Sequence, residues 1–256
     1  MNTKAIILIL STINFAYSET NLSYDKELEF KEYARTFLKK EGLSGCISSL
    51  VEDKDLKLLF SKSKSYFFNQ GLYTNSEDIR DIYRDKIYPY INKTVAKYPN
   101  TVNDIEKINI CLSIYHSKGY QLLINSFDSY IYYEQMNNFF ISPAHKNTKA
   151  SSKDLNDSQY KMSLWGFYGC LSNSIKYSDI NTNIMNESKK IQSSINFKNE
   201  TYAHIESLYK DAIEKYTITS SYDSKDSSPI SLGCIILYDT NTINNAILNP
   251  IPSYGR

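Results

Sequence analysis

"INICLSIYHSKGYQLLI" (108–124) and "PISLGCIILYDTNTINNAIL" (229–248) decide the fold, because they carry one pattern twice. In each, a cysteine sits inside an apolar run with helical spacing, and a tyrosine follows four residues later: Cys111 and Tyr115, then Cys234 and Tyr238. Two earlier pairs of segments repeat in the same order. "LSGCISSLVEDKDL" (43–56) is answered by "FYGCLSNSIKYSDI" (167–180), so that Gly45, Cys46 and Ser48 match Gly169, Cys170 and Ser172. "IRDIYRDKIYPY" (79–90) is answered by "IESLYKDAIEKY" (205–216), with Tyr83, Asp85, Ile87 and Tyr90 on Tyr209, Asp211, Ile213 and Tyr216. The offsets of the three blocks are 124, 126 and 123. Ordered blocks at nearly constant offset indicate a tandem duplication.

The periodicity within the blocks is helical. Positions 79, 82, 83, 87 and 90 follow one helix face, and Ser76 ahead of Glu77 and Asp78 supplies an N-cap with carboxylates in the first turn. A helix over about 53–69 ends at Gly71, which is free to take a left-handed cap conformation. The segment 104–127 reads as one long helix bent near Gly119, and 127–142 as either a terminal helix or a strand. The fold expected is all-α: two tandem domains of about four helices each, arranged as a pseudo-dimer. The expected organisation is a signal peptide (1–18), an N-terminal helical entry (19–41), a first repeat (42–135), a linker (136–160), a second repeat (161–249) and a tail (250–256).

Four cysteines allow three pairings. Repetition makes one disulfide per repeat the simplest scheme, Cys46–Cys111 and Cys170–Cys234, with cross-repeat pairing or free buried thiols as the alternatives. A loop of about 65 residues closed by each bond is worth roughly 4 kcal/mol in the chain-entropy account.

Composition narrows the function. With 29 basic and 28 acidic side chains there is no net field to recruit nucleic acid, and the lysines are scattered rather than striped. The start, "MNTKAIILILSTINFAYSET", has Lys4, an apolar run from Ala5 to Leu10 and small residues Ala16 and Ser18 about Tyr17, the pattern of a secretory signal cut after Ser18. No later segment reads as membrane-spanning, so a protein of an oxidising compartment, free of the membrane after cleavage, is expected.

Catalytic chemistry finds no constellation. His116 and Cys111 are five residues apart on a helix and so lie on different sides, and Asp239 stands where His116 would recur. His145 falls in the linker and His204 opens a helix, so neither joins a metal set. Zincin, nucleophile-elbow and phosphate-loop motifs are all missing. No enzyme, no metal and no cofactor is the expectation, and Asp85 and Asp211 read as capping or ion-pair residues. The polar loops before each last helix, 96–104 and 217–229, occupy equivalent places in the two repeats.

The cysteine on the first helix, "SKSYFFNQG" before the third, and "CLSIYHSKGYQLLINSF" on the last resemble the immunity proteins that protect against type VI secretion amidases, enzymes that cleave peptidoglycan. Cys111, Leu112, Ile114, Tyr115, His116 and Ser117 match the family's last-helix signature, with Ser113 in place of its acidic residue. The likeness covers about 42–128 and reaches 166–249 only through the cysteines, Tyr238 and the third-helix block. It implies a small all-helical periplasmic protein that inserts a loop into the catalytic groove of a secreted amidase effector. Family members look like dimers of one-repeat chains, which two fused repeats would reproduce in a single monomeric chain. Carried over by position, the effector-binding candidates are Lys97, Tyr98, Pro99, Asn100, Thr101, Asn103 and Asp104, then Tyr222, Asp223, Lys225 and Asp226, with Tyr98 and Tyr222 as anchors. The alternative is a periplasmic helical adaptor, or an inhibitor of another cell-wall hydrolase, on the same scaffold.

Overall fold

A computed structural model describes residues 3–70, 72–73, 81–98, 103–141, 155–175, 178–218 and 230–249, with side chains from Tyr24 onward. Helix α1 runs Thr3–Leu50 without a break, so the stretches read as signal peptide, helical entry and first cysteine helix form one element. Then come α2 (Lys54–Phe68), a π-helical turn (Tyr83–Ile87) leading into α3 (Tyr88–Val95), α4 (Asp104–His116), α5 (Lys118–Asn125) and α6 (Met136–Ile141). The second half repeats this order as α7 (Asp157–Ser174), α8 (Asn181–Ser193), α9 (Asn199–Lys215), α10 (Gly233–Leu237) and α11 (Asn241–Leu248). The fold is all-α. Among the described residues it also holds a two-residue ladder, β1 (Thr217–Ile218) antiparallel to β2 (Ile230–Ser231), which pins the ends of the loop between α9 and α10.

The disulfides are Cys46–Cys111 and Cys170–Cys234, each joining the first helix of its half to the fourth. All four cysteines are thereby used. The first helices also bury much of their described length. Phe30, Ala34, Ile47 and Lys40 on α1, and Met162, Phe167, Tyr168 and Leu171 on α7, are almost wholly buried. A helix surrounded on every side must be covered by neighbours on each face, which explains why each half wraps its other helices around the first.

Boundaries follow local chemistry. Asp53 caps α2 by accepting from the backbone N–H groups of Asp55 and Leu56. Asn103 with Glu106, and Asn156 with Gln159, form complete capping boxes at the starts of α4 and α7. The last helix of the first half breaks at Ser117, two residues before Gly119. Ser117 has an extended ψ of 140° and its side chain accepts from the Tyr120 N–H, starting α5.

Two boundaries differ from the sequence reading. Asp157 opens α7 inside the stretch read as linker, because the Asn156 cap defines the helix start ahead of the apolar residues. At the other end of that stretch, α6 packs on α1: Phe139 is buried, with its ring 4.8 Å from Tyr33 and 5.4 Å from Phe30. The segment 127–142 therefore resolves into two 3₁₀ turns and α6, with a single β-bridge between Ile131 and Tyr73. Asp128 holds this layer in place, accepting two hydrogen bonds from the Arg35 guanidinium, at 2.8 and 2.5 Å, and an ion pair from Lys31. Gly71 and Ser76 lie outside the described residues.

Candidate functional site

The loop that leaves α3 is traced through Lys97 and Tyr98 and resumes at Asn103. Lys97 is exposed, and Tyr98 keeps 40% of its surface in solvent. Asn103 and Asp104 are committed to the fold instead. Asn103 caps α4, and the Asp104 carboxylate accepts from the backbone N–H groups of Glu52 and Asp53 and from Lys107 Nζ. Those donors hold the Asp104 carboxyl below its usual range against an opposing effect of burial, the largest single influence on it. Pro99, Asn100, Thr101, Tyr222, Asp223, Lys225, Asp226 and His145 lie outside the described residues.

The signature residues 111–117 do not form a pocket; they line a seam between the two halves. Cys111 is bonded to Cys46, Leu112 is buried, and Ser117 serves as a cap. Tyr115, almost wholly buried, has Lys39 Nζ 4.0 Å from its ring centroid and the Tyr238 ring 5.9 Å away. His116 Nε2 is 2.7 Å from the Tyr238 hydroxyl, with Tyr160 against its ring at 5.0 Å.

The reciprocal contact is present too. The Asp239 carboxylate stands beside the Tyr115 hydroxyl, whose pKa is raised chiefly by burial and further by that carboxylate. Residue 116 thus meets Tyr238 while residue 239 meets Tyr115, and each tyrosine and its successor are sequence equivalents. Away from this point, Lys40 Nζ donates to Ile236 O at 2.7 Å, Tyr168 donates to Asn109 Oδ1 at 2.8 Å, and Ser178 donates to Asp53 Oδ2 at 2.7 Å.

Electrostatics in the seam is set by desolvation. Burial lowers the pKa of Lys39, opposed by Asp239. Burial lowers that of His116 from 6.5 to about 4, opposed by Asp239 and reinforced by Lys39. A neutral His116 exchanging one hydrogen bond with a tyrosine hydroxyl is a structural arrangement, not a poised base. Cystine sulfurs offer no thiolate. Among the described residues no cluster of three or more histidine, cysteine, aspartate or glutamate side chains is arranged to hold a metal ion.

Sequence reasoning missed Lys39, Lys40 and Asp239. A "KK" pair on an amphipathic helix reads as solvated, whereas here Lys39 lies over the Tyr115 ring of α4 and Lys40 reaches Ile236 O on α10. Asp239 has φ 54°, the left-handed region that aspartate tolerates better than most residues.

No family model, no curated protein and no solved structure matches the chain.

Proposed function

We propose that this is an immunity protein that binds a secreted peptidoglycan amidase in the periplasm and occludes its catalytic groove. The carrying observation is the fate of the signature stretch. Its cysteine, tyrosine and histidine are all spent on a cystine and a seam, which leaves the neighbouring loop, with exposed Lys97 and Tyr98, as the part free to meet a partner. Two cystines fit a chain that folds in an oxidising compartment, and no described helix is long and apolar enough to cross a membrane. The reciprocal Tyr115/Asp239 and Tyr238/His116 contacts support a covalent pseudo-dimer, each half covering the other's last helix.

The test is to look beside the gene for a reading frame encoding a secreted hydrolase, co-purify the two products, and then rescue cells that express that hydrolase in the periplasm. Replacing 97–102 with a Gly/Ser linker should weaken hydrolase binding roughly tenfold or more, since a single anchoring tyrosine often carries that much. The replacement stops short of Asn103 because that residue caps α4, so the thermal transition should be unchanged. Unaltered affinity in the folded variant would remove this loop from the mechanism.

A further inference from the structure

Each half carries a groove among its first three helices, and the repeat offsets relate one groove to the other. In the first half it is lined by Glu41, Lys64, Ser65, Phe68, Tyr83 and Tyr88. Advancing the α1 and α2 positions by 124 and the third-helix positions by 126 gives Trp165, Ser188, Lys189, Gln192, Tyr209 and Glu214. All six line the groove among α7, α8 and α9. The two differ in size: about 340 Å³ in the first half and about 790 Å³ in the second.

The difference has a specific origin. In the first half the Tyr88 ring lies 3.3 Å from where a side chain on Gly45 would begin, and Lys64 Nζ stands 4.8 Å from the ring centroid. Tyr88 is a plug, seated between a helix glycine and an ammonium group. The second half keeps the glycine as Gly169 but replaces the ammonium with Ser188 and the plug with Glu214. Among the described residues beyond its own helix turn, what a side chain on Gly169 would meet there is Ser188 Oγ at 3.9 Å. The slot for a ring persists while its own ring has been lost.

We propose that the second groove is a docking site for a tyrosine side chain presented by a partner polypeptide. The first half shows that a tyrosine fits the shared glycine-floored slot. Trp165, in place of Glu41, adds an aromatic wall, and Met185, 43% exposed at the rim, is a polarizable contact suited to a ring. The rim alternates charge, with Lys189 and Lys210 against Glu206 and Glu214, which suits the amide groups on both sides of a tyrosine in a chain. A groove of this volume is within the range of specific ligand sites, and buried tyrosines are frequent anchors of protein interfaces. The site requires a polypeptide partner but not an amidase, so its failure would leave the proposed function standing.

Trp165 is the sole tryptophan and reports directly on the groove. The full chain is titrated with acetyl-Gly-Tyr-Gly-amide, following the Trp165 indole N–H resonance and its fluorescence excited beyond tyrosine absorption. Acetyl-Gly-Ala-Gly-amide and p-cresol serve as parallel titrants. Saturable change with the tyrosyl peptide and none with the alanyl peptide is expected. The double variant Ser188→Lys/Glu214→Tyr rebuilds the first-half plug and should weaken the response about tenfold or more. Gly169→Leu, which fills the slot from its floor, should do the same, and it keeps the test valid if the double variant does not fold. Indistinguishable peptides, p-cresol binding with the tyrosyl peptide excluded, or folded plugged variants that titrate like the parent would each overturn the proposal.

Discussion

Lys40 and Glu41 are neighbours on α1, are both almost fully enclosed, and carry opposite pH liabilities. Burial lowers the Lys40 pKa from 10.5 to about 7, helped by Lys39 and opposed by Asp239. Burial raises that of Glu41 from 4.5 to about 8, opposed by Tyr83 and Lys64. Above about pH 4.5 the unfolded chain releases the Glu41 proton that the folded protein retains, so Glu41 withdraws stability as pH climbs to about 8. Above about pH 7 the folded protein releases the Lys40 proton while the unfolded chain keeps it until 10.5, so stability returns over that interval. Urea midpoints should therefore pass through a minimum near neutral pH. Glu41→Gln should flatten the acid-side decline and Lys40→Met the alkaline-side rise. A parent protein whose midpoint does not vary with pH would contradict both burials.

Between elements, two glycines on equally helical backbone predict opposite outcomes. A methyl group on Gly233, at the start of α10, would lie 2.3 Å from the backbone carbon and oxygen of Ala212 on α9, and backbone cannot swing aside as a side chain can. Gly233→Ala should cost about 1–3 kcal/mol. Gly169→Ala meets nothing closer than 3.9 Å and should gain about 0.5–1 kcal/mol from helix propensity alone. Chemical denaturation of both variants measures the contrast. The elements themselves were largely legible. Apolar spacing places α2 and α9, and the internal repeat selects the cystine pairing that the fold contains. What escaped depended on distant partners. No local signal says that Phe139 will fold back onto Tyr33, that Asp104 will be spent on the α1–α2 turn, or that 219–229 will be bracketed by a two-residue ladder. Of the candidate site, the exposure of Tyr98 was legible from its polar surroundings. The inter-repeat role of His116 was not, because its partner lies 122 residues away.

At the scale of the whole molecule, the proposed pseudo-dimer predicts a hydrodynamic monomer. In that proposal, the face that a one-repeat chain would offer to a second copy is taken up by the chain's own other half. Sedimentation velocity should give a single species near the mass of one chain across micromolar concentrations, and an obligate dimer would refute the arrangement. The seam also separates what a symmetric assembly must keep alike. In a homodimer every substitution enters both partners at once, so a histidine facing a tyrosine is matched by a second histidine facing a second tyrosine. Here His116 faces Tyr238 while Asp239 faces Tyr115, two different bonds at equivalent places. Joining the copies in one gene frees each to drift alone: one half can keep its tyrosine plug and the other can lose it, so a single scaffold can acquire a left and a right hand.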